Sequence, residues 1–199
     1  MRLLLASASP RRRELLAAAG ISCVVAPVDV DERQLAGERA EQYVDRLARQ
    51  KAAAGLARFP DDVILAADTA VVLGGDVLGK PADAAVAAAM LRRLSGRAHD
   101  VFTGVAIAWP GGIVAEVDRT RVWMTELTDE DIASYVATGE PLDKAGAYGI
   151  QGWAARFIPR IEGSYANVVG LPVATVLQLL HRAGMFQLIR GPGGPAGRG

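Results

Sequence analysis

Two carboxylates and two lysines stand where packing alone would not put them. Asp68 closes the apolar run "VILAAD" with Thr69 beside it, and Lys80 follows twelve residues on, between Gly79 and Pro81. A carboxylate closing an apolar strand points to the sheet edge where α/β proteins gather ligands. Such an acid can hold a divalent ion or a water while the lysine neutralises phosphate, which is metal-assisted phosphoryl chemistry. Lys51 lies four residues after Leu47 and seven after Val44, on the apolar face of a helical pattern. There it must either snorkel to the edge or meet an anion. Glu32, beside Asp31 in the acidic "VDVDER", is a candidate second metal ligand, the plainer alternative being a solvated loop.

Two further stretches carry binding groups. In "LLASASPRRRELLAAAG", Ser9 suits an N-cap and Pro10 a first helical position, with Gly20 past the end. Arg11, Arg12 and Arg13 then crowd a helix start that already carries about half a positive charge. A bound anion answers that crowding: Ser7, Ala8 and Ser9 let the backbone approach it, free N–H groups point at it, and the arginines add forked donors. The P-loop pattern is absent, and a solvated basic turn is the alternative. The fourth stretch, "PLDKAGAYGIQGWAARFIPRIEGSYANVVGLP", is rich in glycine and too apolar for a solvated loop, so it reads as a pocket wall. Its Gln151 offers an amide able to donate and accept, as reading a base edge requires.

The elements that position these groups follow from pattern and caps. Strands are expected at residues 2–6, at "SCVVAP", at "DDVILAAD", from His99 to Trp109 and from Ile113 to Glu126, with a hairpin signal at Gly74-Gly75. Helices are expected from Pro10, from Glu38 to Arg58, from Asp83 to near Gly96, from the Thr128–Asp131 box to Thr138, and from Pro172 to near Gly184. This predicts one α/β domain over 1–187 and a disordered Gly/Pro-rich tail over 188–199. The 199 residues carry 22 basic and 22 acidic side chains, a formal net charge of zero that disfavours a nucleic-acid surface. No apolar run is long enough to span a membrane. The lone Cys23, read as a buried thiol in a strand, suits a reducing cytoplasm.

Taken together, "LASASPRRRELL", "YVDRLARQKA", "ILAADTAVVLGGDVLGKP", "HDVFTGVAI" and "DKAGAYGIQGWAARFIPRIEGSYANVVGLP" resemble the Maf family of nucleoside triphosphate pyrophosphatases, in order, from residue 3 to about 176. The resemblance implies a two-lobed mixed α/β sheet flanked by helices with a central cleft, related to the inosine triphosphate pyrophosphatase fold. It implies an enzyme, commonly a homodimer, that cuts a nucleoside triphosphate between the α and β phosphates with Mg²⁺ or Mn²⁺. Asp68 then matches the proton acceptor, Glu32, Lys51 and Lys80 the other charged cleft residues, and Ser9, Arg11 and Arg12 the phosphate-binding start. Thr69 and Gln151 match positions that separate the branch acting on dTTP and UTP from the one preferring 7-methyl-GTP, and "ADT" with "GIQG" resembles the former. The resemblance leaves Arg13 outside the motif. It also leaves open whether Asp68 is base, metal ligand or both, with Glu32 the second ligand. A nucleotide-sensing regulator of cell division without turnover is the alternative function.

Overall fold

Three long antiparallel strands run through the whole molecule, which the computed structural model describes from residue 1 to 189. They are β3 (Val63–Leu73), β5 (Ala98–Trp109) and β6 (Gly112–Trp123). Short strands complete a seven-stranded sheet of order β2-β1-β3-β5-β6-β7. β1 (Leu3–Leu5) and β2 (Val24–Val25) add in parallel beside β3, and β7 (Arg160–Glu162) adds to β6. β4 (Asp76–Leu78) folds back on β3 through Gly74 and Gly75, both at positive φ, as the hairpin signal requires. The sheet is therefore mixed and helix-flanked, with α1 (Pro10–Ala18), α2 (Ala40–Arg58), α3 (Ala84–Leu94), α4 (Asp129–Ala137), α5 (Tyr165–Val169) and α6 (Val173–Arg182).

Each long strand passes from one core into another. At one end Leu3, Leu5, Val63, Leu65 and Ile107 pack with Leu16 of α1 and Leu179 of α6. At the other, Val71 and Val101 pack with Leu91 of α3, Ile132 and Tyr135 of α4, and Phe157. α2 crosses the opposite face, burying Val44, Leu47, Ala48, Ala52 and also Lys51. It lies close because β5 presents Gly104, where a Cβ would stand 2.3 Å from the Val44 carbonyl oxygen.

Several expectations are corrected. Asp68 does not end its strand but sits at the centre of β3, since Thr69–Val72 continue the ladder with Thr103–Asp100 of β5. The neighbour ends instead: β1 pairs β3 only at Val63–Leu65, and β4 pairs it only at Val71–Leu73. Residues 66–70 thus lack a strand partner on that side, and this break opens the cleft. Cys23 is half-buried and precedes β2, which is only two residues long because its partner β1 is equally brief. The glycine-rich stretch contains 3-10 turns, β7 and the Ser164-capped α5, which its composition hides. Of the tail expected over 188–199, Leu188 and Ile189 belong to a 3-10 turn against the first core, and residues 190–199 lie outside the described residues. No helix among the described residues is long and apolar enough to cross a membrane.

Candidate active site

The gap between β1 and β4 along the edge of β3 opens on a cavity of about 880 Å³, walled by the Ser7–Arg12 turn, the Glu32 loop, the centre of β3, Gly79-Lys80, the 140–152 segment and residues 168–170. All ten residues singled out from the sequence line it: Ser7, Ser9, Arg11, Arg12, Glu32, Lys51, Asp68, Thr69, Lys80 and Gln151. Arg13 does not; it is exposed on the outer side of α1.

Strand alternation turns Asp68 toward α2 and Thr69 toward the opposite face. Lys51, on the buried stripe of α2, reaches across and binds two carboxylates at once. Its Nζ donates to Asp68 Oδ1 at 2.6 Å and lies 2.6 Å from Glu32 Oε1. Lys51 and Asp68 are each only 8% exposed, whereas the Glu32 side chain is 58% exposed at the cavity mouth. The Tyr43 hydroxyl steadies the Glu32 loop by donating to the Glu32 carbonyl at 2.9 Å. Asp31 takes no part, being tied to Arg33 at 2.6 Å in solvent. Burial pushes the Asp68 carboxyl above the ordinary carboxylate range, while Lys51 and then Arg12 pull it back. A raised pKa makes the ionised carboxylate a stronger base than an exposed one.

The arginines divide their work. Arg12 ties the cleft together, donating Nε to Gly170 O at 2.8 Å, Nη1 to Ser7 Oγ and Ala67 O at 3.1 and 2.7 Å, and Nη2 to Thr69 Oγ1 at 3.1 Å. Its bond to Ala67 O caps the strand edge that β1 and β4 leave open. Thr69 is held further by Thr103 Oγ1 at 3.0 Å. Arg11 instead crosses the cavity mouth to Asp143 Oδ2 at 3.0 Å. Ser9 occupies the N-cap position of α1 but makes no side-chain cap bond, so the N–H groups of the first turn and the Ser9 hydroxyl remain available to an anion. Lys80 and Gln151 have no hydrogen-bond or ion-pair partner among the described residues, and both are exposed to the cavity.

Sequence reasoning passes over Lys144, Tyr43 and Glu140, which also line the cavity. Lys144 Nζ donates to Glu140 O and Asp143 Oδ1, both at 2.7 Å. Only Lys144 carries a readable signal, a lone lysine among glycines and alanines in "DKAGAYG". Among the described residues no three His, Cys, Asp or Glu side chains come together as a metal cage.

The profile of the Maf-like protein family matches residues 2–183. The chain belongs to the Maf-like family. This Maf-like chain is 53% identical over 186 residues to the dTTP/UTP pyrophosphatase of Koribacter versatilis, covering 94% of the one and 96% of the other. It is 54% identical over 183 residues to the dTTP/UTP pyrophosphatase of Myxococcus xanthus, covering 92% and 93%. Among solved structures it is similar to a nucleoside-triphosphatase / dITP/XTP pyrophosphatase of Mycobacterium abscessus over 96% of this chain and 99% of that one. That likeness has a TM-score of 0.44 and 17% sequence identity.

Proposed function

We propose that this Maf-like chain hydrolyses dTTP and UTP to the monophosphate and pyrophosphate. The observation that carries the reading is the Asp68 carboxylate, buried, raised in pKa and held by Lys51 beside a cation-lined cavity. Its family membership and its likeness to dTTP/UTP pyrophosphatases over nearly the whole chain support the substrates.

In this reading Asp68 takes a proton from a water that attacks the α-phosphorus. The new bond joins that oxygen to the α-phosphorus, and the bond to the α–β bridging oxygen breaks, releasing pyrophosphate. Lys51 keeps Asp68 ionised and its ammonium in line with Glu32. Lys80, Arg11 and the N-terminus of α1 meet the phosphates, where charge builds on the leaving group. Arg11 exchanges Asp143 for phosphate, while Arg12 uses four N–H groups to hold the wall and keeps one for substrate. Gln151 faces the base, and Thr69 shapes the floor beneath it.

A divalent ion fits this donor set. Lys51 engages one oxygen of Asp68 and one of Glu32, leaving the second oxygen of each for Mg²⁺ or Mn²⁺. Ions of this kind commonly take one or two carboxylates and complete their shell with phosphate and water. When bound, the ion would neutralise phosphate charge. We extend the reading to a homodimer in the cytoplasm; light scattering on the purified chain tests the dimer, and cell fractionation the location. Nothing among the described residues favours the sensing alternative.

The deciding experiment incubates the purified protein with UTP or dTTP and Mg²⁺ or Mn²⁺ and identifies the products. Monophosphate and pyrophosphate are expected. Diphosphate and orthophosphate, or no turnover, would overturn the proposal.

A further inference from the structure

Gln151 rides on a loop that the protein grips from both sides. Two residues before it, the Gly149 N–H donates to the Tyr135 hydroxyl at 3.1 Å. Two residues after it, the Trp153 N–H donates to Glu140 Oε2 at 3.0 Å. The Tyr135 hydroxyl donates in turn to Glu140 Oε1 at 2.9 Å, so one carboxylate closes both anchors. Tyr135 is fully buried in the core of α4, and its ring stacks on Trp153 with centroids 5.6 Å apart and planes 6° from parallel. The fit has no slack. A Cβ on Gly152 would stand 2.3 Å from a Glu140 carboxylate oxygen, and one on Gly149 would stand 2.6 Å from Lys144 Cε.

We infer that Glu140, together with Tyr135, is the positioning residue that sets how far Gln151 projects into the cavity, and so makes the site select pyrimidine over purine nucleotides. The inference rests on the nucleotide reading proposed above. A purine carries a second fused ring, and a base-facing wall anchored on either side of Gln151 cannot withdraw to admit it. Releasing one anchor frees the loop to retreat. Glu140 makes no hydrogen bond to Lys51 or Asp68 among the described residues, so the effect falls on which base is accepted and not on the proton transfer.

The test compares kcat/KM for UTP and GTP, with Mg²⁺, in the full chain and in Glu140→Ala, Glu140→Gln and Tyr135→Phe. In Glu140→Ala the UTP-to-GTP ratio is expected to fall by about tenfold or more, the scale of discrimination that a well-fitted pocket supplies. Glu140→Gln keeps an acceptor and a donor for the same two partners and should restore most of the ratio. Tyr135→Phe keeps the ring stack but loses the hydroxyl, and should lower the ratio even where Glu140→Ala fails to fold. Proportional losses on both nucleotides, an unchanged ratio in Glu140→Ala and Tyr135→Phe, or a Glu140→Gln ratio as low as that of Glu140→Ala would each overturn the inference. Absence of UTP turnover by the unaltered chain overturns the proposed activity first, before any variant is compared, and the inference with it.

Discussion

At the scale of single residues, the site turns on a proton acceptor under opposing pressures. Desolvation favours the neutral form of Asp68, and the Lys51 ammonium at 2.6 Å favours the charged one. Only the ionised form can take a proton from water. Asp68→Asn keeps the shape and removes the acceptor, so turnover of UTP should fall by roughly 10²–10⁴-fold, the usual worth of a general base. Nucleotide binding followed by calorimetry should survive in that variant, and near-normal turnover would remove Asp68 from the chemistry. The sign of the pH dependence follows from the same balance. Because burial raises the Asp68 pKa, the acid limb of kcat should lie above the ordinary carboxylate value of about 4, with activity lost as pH falls through it. Lys51→Met removes the strongest influence holding that pKa down, so the limb should move to still higher pH. Profiles of kcat against pH for the two proteins check both statements.

At the scale of elements, the Lys51–Asp68 contact depends on how closely α2 approaches the sheet. Gly104 permits that approach, since any side chain there meets backbone of α2, at the Val44 carbonyl and the Asp45 amide. Gly104→Ala should destabilise the fold by about 1–3 kcal/mol, the range for overpacking, as measured by urea unfolding. It should also weaken turnover by moving Lys51. Capped and periodic elements are legible in the sequence: Asp83 accepts from the Val86 N–H at the start of α3, and the Thr128–Asp131 box opens α4. The centre of β3 is not legible. A polar pair after an apolar run reads as a strand end, and nothing local reveals that β1 stops at Leu5 and β4 resumes the pairing at Val71. The individual site residues are visible because charge on an apolar face, or a bare glutamine among glycines, conflicts with packing. Tyr135 and Glu140 show no such conflict. Their role arises only when the end of α4 meets a loop fourteen residues further on.

At the scale of the whole molecule, His99 joins the start of β5 to the cavity wall, its Nε2 lying 2.7 Å from the Tyr148 hydroxyl. It is only 2% exposed, and burial drives its pKa down to about 4. The unfolded chain, with histidine near 6.5, binds this proton more readily, so stability falls as pH drops from about 6.5 toward 4. The full loss from this group is roughly 3 kcal/mol. Urea unfolding at pH 7 and pH 4.5 should show the decline, and His99→Gln should flatten it.

The interrupted edge of β3 has a dynamic consequence. Leu65 O accepts from the Ala6 N–H and Ala67 O from Arg12, so odd-numbered residues turn their main-chain groups toward the gap. The amide hydrogens of Ala67 and Thr69 therefore face the unpaired edge, where Ala67 is fully covered and Thr69 lines the cavity, while those of their even-numbered neighbours face β5. In deuterated water Thr69, in the middle of a central strand, should exchange far faster than the residues flanking it. Saturating nucleotide should slow that exchange, which turns one backbone proton into a built-in reporter of cleft occupancy.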